Sequence, residues 1–279
     1  MTEEMLIRQA LDEDLGDGDH SSLATIPSGA MGKVRLLVKD TGVLAGMDTA
    51  RKVYMLTDPD IDFQPLMKDG DMIRRRDVAF IAVGRRISLL SAERTVLNFM
   101  QRMSGIATRT RQYVDAIAGT GAIVLDTRKT TPNMRIFEKY AVRAGGAQNH
   151  RFGLFDMIMI KDNHVDFAGG IGKAIRACQQ YLQQNGRQLR IEIEVRNLDE
   201  LQQVLTCGGV HRIMLDNFSP AELKAAVGMI NGAYETEASG GITLETIRSY
   251  AETGVNYISV GALTHQITSL DLSLKACEE

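Results

Sequence analysis

Basic side chains cluster in the middle of the sequence, next to short apolar runs. Between Arg128 and Lys161 there are seven Lys or Arg residues and two acids, although the whole chain has a net charge of -3. Guanidinium and ammonium groups gathered in a cleft bind ligands with several negative charges, such as a dicarboxylate or phosphates. A helix with a solvated basic face explains Arg135 and Arg143. It does not explain Arg128, Lys129 and Lys161, which follow apolar runs directly.

Carboxylates at the ends of two later apolar runs supply the opposite charge. Glu194 lies at the end of one run and Asp216 at the end of the next, so the two side chains could face each other across the rim of a parallel sheet. Carboxylate oxygens beside phosphate ligands form the kind of site that Mg²⁺ prefers. The pattern predicts Mg²⁺ at Glu194 and Asp216. Alternatively, Glu192 or Glu194 is the buried partner of a lysine.

Small residues follow the last two apolar runs. Ser239, Gly240 and Gly241 precede a helical pattern that begins near Thr243, and Gly261 comes directly after the final run. Glycine lets backbone N–H groups approach an anion closely, and a helix N-terminus favours negative charge. These segments are therefore candidates for binding a phosphate.

The elements that must position these residues change character along the chain. The first hundred residues mix helical and strand patterns without regular crossovers, which indicates an α+β arrangement. A long helical pattern follows from Ser88 to about Ala118, with a break or kink expected near Ser104-Gly105. Short β-branched runs then alternate with helical stretches, which predicts parallel strands joined by right-handed crossovers. The six predicted strands are Ile123–Leu125, Met157–Ile160, Ile191–Val195, Arg212–Leu215, Tyr234–Ala238 and Tyr257–Val260.

A closed parallel barrel is the preferred architecture for this second half, and an open doubly wound sheet is the alternative. A weak seventh strand could lie among the irregular segments. In a parallel barrel the active site lies at the carboxyl ends of the strands. The basic, acidic and glycine-rich segments would therefore meet at one rim.

Composition excludes several classes of protein. The chain has no overall basic excess that would favour coating of nucleic acid, and no apolar run approaches the roughly 18 residues of a membrane span. Its three cysteines contain no CxxC pair, which argues against a disulfide scaffold or a zinc ribbon. The N-terminus lacks the features of a secretory signal. We expect a cytoplasmic enzyme.

The order and spacing of these segments resemble the quinolinate phosphoribosyltransferase family, which are type II phosphoribosyltransferases of NAD synthesis. The resemblance covers nearly the whole chain. The matching segments are Glu93-Arg94, Ser104 to Ala107, Asp126 to Pro132, Glu138 to Tyr140, Asn149 to Arg151, Lys161 to His164, Glu192 to Glu194, Leu215 to Asn217, Glu237 to Ile242 and Val260 to His265.

The resemblance implies an α/β fold in two domains. Residues 1–110 would form an N-terminal α/β sandwich domain, and residues 111–265 an incomplete, seven-stranded parallel α/β barrel. A C-terminal helix at about 266–279 would pack back on the first domain. The subunits would pair head to tail in a homodimer, so that each active site borrows residues from its neighbour.

The resemblance also implies a reaction and a role for each site residue. Quinolinate and 5-phosphoribosyl-1-pyrophosphate would react with Mg²⁺ present, giving nicotinate mononucleotide, pyrophosphate and CO₂. The residues that would hold the quinolinate carboxylates and sugar phosphates are Arg128, Lys129, His150, Arg151 and Lys161, with Arg94 entering from the partner subunit. Glu194 and Asp216 would lie near the ribose hydroxyls and Mg²⁺, while Ser239, Gly240, Gly241 and Gly261 would bind the 5-phosphate. The candidate catalytic residues are Lys129, Lys161, Glu194 and Asp216.

Three alternatives remain open at this stage. A related phosphoribosyltransferase-like protein found alongside molybdenum transport would share the fold and the donor substrate. A barrel aldolase would use Lys161 or Lys129 to form a Schiff base, which leaves Arg128, His150 and Arg151 without a role. A non-enzymatic sensor would bind the same anions without turnover.

Overall fold

The computed structural model describes residues 2–277, which divide into two units. Of the described residues, the first unit comprises 2–111, 130–146 and 263–277, and the second comprises Gln112–Lys129 and Ala147–Ala262. The helices are α1 (Glu3–Leu15), α2 (His20–Thr25), α3 (Met47–Thr57), α4 (Arg86–Ser91), α5 (Glu93–Ala116), α6 (Arg135–Ala144), α7 (Asp162–Ala168), α8 (Ile171–Gln184), α9 (Leu198–Cys207), α10 (Pro220–Ile230), α11 (Ile247–Ala251) and α12 (Ala262–His265). The strands are β1 (Met31–Val38), β2 (Gly42–Val43), β3 (Asp62–Pro65), β4 (Met72–Ile73), β5 (Val78–Arg85), β6 (Ile123–Leu125), β7 (Ile158–Ile160), β8 (Ile191–Val195), β9 (Arg212–Asp216), β10 (Glu235–Ser239), β11 (Tyr257–Ser259) and β12 (Leu272–Cys277).

The main sheet of the first unit is antiparallel, in the order β12-β1-β5-β3. Alternation along β1 buries Val34, Leu36 and Val38 on one face. The prediction of a C-terminal helix is wrong for the described residues 272–277. They form β12, in which Leu272 and Leu274 are buried while β1 takes up the backbone hydrogen bonds. Residues 278 and 279 of the predicted helix lie outside the described residues.

The long helical pattern is interrupted at a different place from the one predicted. The prediction of a break near Ser104-Gly105 is wrong, because α5 runs unbroken through these residues and the interruption lies at Ala92, between α4 and α5. Gly105 serves a close approach instead, since a Cβ there would overlap the carbonyl oxygen of Thr268. The hydroxyl of Ser104 donates to the carbonyl of Ala45 and accepts from its N–H group.

The second unit is built on a parallel sheet in the order β6-β11-β10-β9-β8-β7. Gln148 adds a single parallel bridge to Leu125 on the outer side of β6, at the place of a seventh strand. The interpretation as an α/β fold with an N-terminal sheet domain and a parallel α/β barrel is confirmed. Local signals mark its helices: Ser219 and Glu222 form a capping box at the start of α10, with Pro220 in its first turn.

One helix of the first unit lies beyond residue 110, in the part of the sequence that was predicted to form the barrel. Helix α6 belongs to the first unit, because buried Glu138 accepts from Arg102 at 2.6 Å. Glu138 also accepts the backbone N–H of Thr131, and Arg111 donates to the carbonyl of Gly145. These bonds connect residues 130–146 to helix α5 within the first unit.

An acid-sensitive ion pair stabilises the first unit. Buried Asp58 accepts from Nε and Nη2 of half-exposed Arg85, both at 2.7 Å, and these hydrogen bonds hold the pKa of Asp58 well below its usual range. Its stabilisation is therefore complete above the ordinary aspartate pKa of about 4 and is lost as the pH falls below it. We expect Asp58→Ala to lower the unfolding free energy at pH 7 by about 2 kcal/mol.

Urea denaturation at pH 7 and at low pH measures this effect. The difference between Asp58→Ala and the unsubstituted chain should shrink as the pH falls, whereas Asp14→Ala, at an exposed position of α1, should show little difference at either pH. An equal loss of unfolding free energy in Asp58→Ala at both pH values would contradict the role of the Asp58–Arg85 ion pair.

Candidate active site

One face of the second sheet carries charged side chains in successive layers. Strand pairing sets Glu192 beside Arg212, and Arg212 beside Glu235. Side chains two residues apart on a strand share a face. The charged residues of this face are Glu192, Glu194, Arg212, Asp216, Glu235 and Glu237. The opposite face of β8 is apolar, so the charges mark the functional side of the sheet.

Lys161 and Glu194 form an ion pair at the carboxyl end of this face. Lys161 follows β7 and caps α7, where its N–H donates to Nδ1 of His164. Its ammonium group lies 3.0 Å from Oε2 of Glu194, whose side chain is 10% exposed, against 46% for the lysine. Glu194 is therefore the ion-pair partner of a lysine, as the alternative prediction for this residue states. The pair still presents a cation at the rim.

His150 lies deeper in the same face. Its Nε2 is 3.0 Å from Oε2 of Glu192 and 3.3 Å from Oε2 of Glu237, and all three side chains are buried. Its backbone N–H donates to buried Asp126 at 2.8 Å. On the other side of the ring, Nδ1 accepts the backbone N–H of Arg151 at 2.7 Å. Both ring nitrogens of this predicted substrate ligand therefore contact protein groups.

The protonation of His150 follows from these contacts. Burial lowers its pKa, but Glu192 and Glu237 outweigh burial and raise the pKa to about 9. A ring protonated on both nitrogens conflicts with the bond from Arg151, which needs Nδ1 without a proton. The bond from Arg151 favours the tautomer with its proton on Nε2, on the side of the glutamates. Burial and the neighbouring carboxylate of Glu237 also raise the pKa of Glu192.

Two arginines approach each other beside this histidine. Burial, together with the nearby guanidinium of Arg128, lowers the pKa of Arg151. Arg151 also donates from Nη1 to the carbonyl of Met157 at 3.2 Å. Like charges brought together in a half-buried place indicate a site for an anion that binds both. Lys129 is exposed next to them, and its N–H donates to the hydroxyl of Thr127.

The turns after β9 and β10 are packed directly on each other. Asn217 has a positive φ of 58°, donates its N–H to the carbonyl of Ser239 at 2.8 Å, and donates its side-chain amide to Asp216 at 2.5 Å. Gly240 has φ 96°, and a Cβ there would overlap the side chain of Asn217 and lie 2.9 Å from its backbone nitrogen. Only glycine fits this position. Gly241, exposed with φ 61°, continues the turn.

Gly240→Ala should therefore damage the turn that we expect to bind the 5-phosphate. Both the positive φ and the contact with Asn217 oppose the added methyl group. We expect the KM for the phosphoribosyl donor to rise about tenfold, as for the loss of one hydrogen bond to a charged group, about 1.5 kcal/mol. Steady-state kinetics measure this. Gly228→Ala in α10, where a Cβ meets open space, is the control, and equal KM values in the two variants would contradict the role.

Two groups of side chains could hold a metal ion. Glu194 and half-buried Asp216 end neighbouring strands on the same face and offer only oxygen ligands, which suits Mg²⁺ bound together with water and substrate oxygens. The buried donor atoms of His150, Glu192 and Glu237 also lie within 4.8 Å of one another. There, however, Nη1 of Arg212 already provides positive charge 2.8 Å from Glu237. The rim pair is the better fit.

The remaining predicted residues take the following places. Ser239 is the last residue of β10, and Gly261 follows β11. Both are half-buried, at the same end of the second sheet as Lys161 and Asp216. Arg94 is exposed in the first turn of α5, in the first unit. Sequence reasoning gave no role to Arg212, Glu237 or Asp126. Acids occur at every second position of β8 and of β10. This pattern predicts that they share one face of the sheet, and it was the sequence feature that could have identified these residues.

The fold and this rim define a class of protein: an α/β-barrel enzyme for a substrate with several negative charges. Residues 19–104 match the family described as quinolinate phosphoribosyl transferase, N-terminal domain, and residues 106–275 match the C-terminal domain of the same family. The chain belongs to the quinolinate phosphoribosyltransferase family. The predicted family and enzyme class are thereby confirmed.

Individual relatives match over nearly the whole of this chain. Quinolinate phosphoribosyltransferase [decarboxylating] 2b, mitochondrial, from Nicotiana tabacum is 44% identical, covering 97% of this chain and 81% of that protein. The probable nicotinate-nucleotide pyrophosphorylase [carboxylating] of Bacillus subtilis (strain 168) is 42% identical over 94% of this chain and 89% of its own length. The crystal structure of NadC from Streptococcus pyogenes superposes with a TM-score of 0.93 at 40% identity, covering 100% of this chain and 99% of that one.

The comparisons correct the predicted location. The Nicotiana tabacum relative is named mitochondrial, and a relative from Arabidopsis thaliana, 44% identical, is named chloroplastic. Membership of this family therefore does not indicate the cytoplasm, and the prediction of a cytoplasmic protein, which was drawn from composition and the N-terminus, is wrong. Among residues 2–277, no helix is both long enough and apolar enough to span a membrane.

Proposed function

We propose that the chain transfers the phosphoribosyl group of 5-phosphoribosyl-1-pyrophosphate to quinolinate and decarboxylates the adduct. The products are nicotinate mononucleotide, pyrophosphate and CO₂, which makes this a step of NAD synthesis. The observation that carries the proposal is the pair of half-buried guanidinium groups, Arg128 and Arg151, in a unit that ends its strands in Lys161, Glu194 and Asp216. A dicarboxylate acceptor and a polyphosphate donor carry the kind of negative charge that clustered guanidinium and ammonium groups bind.

Arg128 and Arg151 would recognise quinolinate. Their fork-shaped guanidinium groups match planar carboxylates and bind them with two hydrogen bonds each. Arg151 is held from behind by the carbonyl of Met157 and by Nδ1 of His150. Lys129 and Lys161 add point charges for the remaining carboxylate or phosphate oxygens. The 5-phosphate would lie against Ser239, Gly240, Gly241 and Gly261.

Transfer begins when the bond between ribose C1 and pyrophosphate breaks and positive charge develops on the sugar ring. Glu194 can stabilise this charge through its carboxylate, and Lys161, at 3.0 Å, keeps that carboxylate oriented. The quinolinate nitrogen then bonds to C1. Mg²⁺, held by Glu194 and Asp216 with water and substrate oxygens, would neutralise the pyrophosphate.

Decarboxylation needs no covalent bond to the enzyme. Once ribosylated, the ring nitrogen is cationic, so it accepts the electron pair released when the neighbouring carboxylate leaves as CO₂. The resulting carbanion takes a proton from water, which completes nicotinate mononucleotide. The site contributes by positioning the substrate and by excluding water from the departing carboxylate.

The assembly belongs to the same proposal. The subunits would pair head to tail as a homodimer, in which Arg94 of one subunit enters the site of the other. Its exposure at the start of α5 in the first unit leaves it accessible for this role. Mixing inactive Arg94→Ala and Arg128→Ala proteins should restore part of the activity, because one of the two shared sites would then be intact. A mixture with no more activity than its components would contradict the sharing.

The acceptor requirement tests the function. Nicotinate mononucleotide should form from quinolinate, the phosphoribosyl donor and Mg²⁺, and should not form when nicotinate replaces quinolinate or when a chelator removes the metal. Equal turnover of nicotinate would contradict the role of the second carboxylate. Inactivation by borohydride in the presence of a carbonyl substrate would instead favour a Schiff base on Lys161 or Lys129.

A further inference from the structure

Two segments of the second unit, 126–129 and 149–151, carry four of the basic residues that we expect to contact the acidic acceptor. The guanidinium groups of Arg128 in the first segment and Arg151 in the second are close enough for their charges to interact. Two fork-shaped cations bind two carboxylates of one small planar molecule well only when the distance between the forks is fixed. The contacts between the two segments therefore bear directly on acceptor recognition.

The carboxylate of Asp126 joins the two segments. Asp126 follows β6 and is completely buried. Its Oδ1 accepts the backbone N–H of His150 at 2.8 Å, and its Oδ2 accepts the side-chain amide of Asn149 at 2.6 Å. Arg128 lies two positions after Asp126, and Arg151 follows His150 directly. One side chain thus connects the backbone that carries Arg128 to the backbone that carries Arg151.

Main-chain hydrogen bonds begin this attachment at Gln148. The N–H of Gln148 donates to the carbonyl of Val124 at 3.0 Å, and the N–H of Asp126 donates to the carbonyl of Gln148 at 3.2 Å. These bonds flank the parallel bridge between Leu125 and Gln148. Beyond the bridge, the side chain of Asp126 receives the N–H of His150. Asp126 therefore extends the pairing with β6 into the second cationic segment.

We propose that Asp126 is a positioning residue for the acidic acceptor: its two hydrogen bonds set the distance between the segments that carry Arg128 and Arg151. The proposal rests on the proposed function for the identity of the acceptor. It leaves His150 its predicted role as a substrate ligand, since the bond to Asp126 comes from the backbone N–H of His150.

The chemistry of the carboxylate suits this role. Burying a carboxylate is unfavourable unless hydrogen bonds compensate for the lost water, and the residues that precede Asp126, Val124 and Leu125, are buried and apolar. Both bonds to Asp126 are short, as expected when the acceptor is charged. A carboxylate offers two acceptor oxygens and can hold both donors at once, whereas an amide of the same length offers only one.

Kinetics of a graded series of variants test the proposal. Asp126→Leu removes both acceptor oxygens at similar volume, Asp126→Asn keeps one acceptor oxygen, and Asn149→Ala removes only the amide donor. We expect the KM for quinolinate to rise about tenfold in Asp126→Leu, as for the loss of one hydrogen bond to a charged group, and about threefold in each of the other two variants. The KM for the phosphoribosyl donor should change less than about twofold in all three.

Ile213→Ala is the control for a general loss of stability. Ile213 is completely buried in β9, so this variant should have a lower melting temperature while both KM values stay within about twofold of the unsubstituted enzyme. Three results for Asp126→Leu would overturn the positioning role: an equal rise in both KM values, an unchanged KM for quinolinate, or a rise no larger than that in Asp126→Asn, which would indicate an effect of charge. If Asp126→Leu does not fold, the first two criteria apply to Asp126→Asn and Asn149→Ala. The function itself is judged separately, since it fails only if the unsubstituted enzyme does not turn over quinolinate.

Amide hydrogen exchange, followed by NMR, measures the bond to His150 in the unsubstituted protein. Because this N–H donates to a completely buried acceptor, we expect it to exchange slowly both before and after quinolinate is added. Exchange at His150 should stay slow in Asp126→Asn and become faster in Asp126→Leu. Rapid exchange in the free protein that becomes slow only with quinolinate would overturn the proposal, because the substrate would then set the distance between the two segments.

Discussion

Arg128→Ala is expected to reduce kcat/KM for quinolinate about a thousandfold. Truncating one charged partner of a buried or half-buried ion pair costs about 2–5 kcal/mol, and each 1.4 kcal/mol corresponds to a factor of ten. Under the proposed function Arg128 and Arg151 would bind the acceptor together, and alanine offers no N–H donors in place of the guanidinium fork. Quinolinate binding by calorimetry and steady-state rates would both show the loss.

An arginine outside the site provides the comparison. Arg187 is exposed in the loop after α8, also in the second unit, so Arg187→Ala changes the net charge by the same amount. Its kcat/KM should stay within about twofold of the unsubstituted enzyme, as is usual for surface charges. If both variants lost activity equally, the effect would come from overall charge and not from a contact with the acceptor.

Glu194→Gln is expected to reduce kcat about a hundredfold while leaving the KM for quinolinate nearly unchanged. The amide can still accept a hydrogen bond from Lys161, which lies 3.0 Å away, so the rim keeps its shape. It loses the negative charge that would stabilise the developing positive charge on the ribose, and one preorganised electrostatic contact is worth about 10²–10³ in rate. The loss should therefore appear in the chemical step and in the Mg²⁺ dependence.

Glu252→Gln is a suitable control for this substitution. Glu252 forms an exposed ion pair with Arg248 at 2.6 Å, beyond α11, and its neutralisation should leave kcat and the Mg²⁺ dependence unchanged. A Glu194→Gln enzyme with normal kcat and a raised KM for quinolinate would contradict the account, because Glu194 would then serve acceptor binding.

The rim of the site could be predicted because its signal is local. Lys161, Glu194 and Asp216 each follow a short apolar run, and parallel strands bring their carboxyl ends together whatever the loops do. The fold class followed from the same alternation of strands and helices. The family resemblance then assigned a reaction that spacing alone leaves open among several anionic substrates.

What sequence reasoning missed depends on contacts between distant residues. The acids beside His150 are Glu192 in β8 and Glu237 in β10, 42 and 87 positions further along the chain. No local sequence pattern indicates which acids lie next to one imidazole. The C-terminal helix was an implication of the family resemblance, whereas the strand observed there depends on pairing with the distant β1. Gly105 resembled a helix break, whereas its missing side chain serves a contact with Thr268.

The fate of the carboxylate next to the ring nitrogen tests the central claim most directly. Quinolinate labelled in that carboxyl group is incubated with the enzyme, Mg²⁺ and the phosphoribosyl donor, and the labelled CO₂ released is counted against the nicotinate mononucleotide formed. We expect one CO₂ for each mononucleotide, and none when the donor is omitted. Label retained in the nucleotide, or CO₂ released without the donor, would contradict the account.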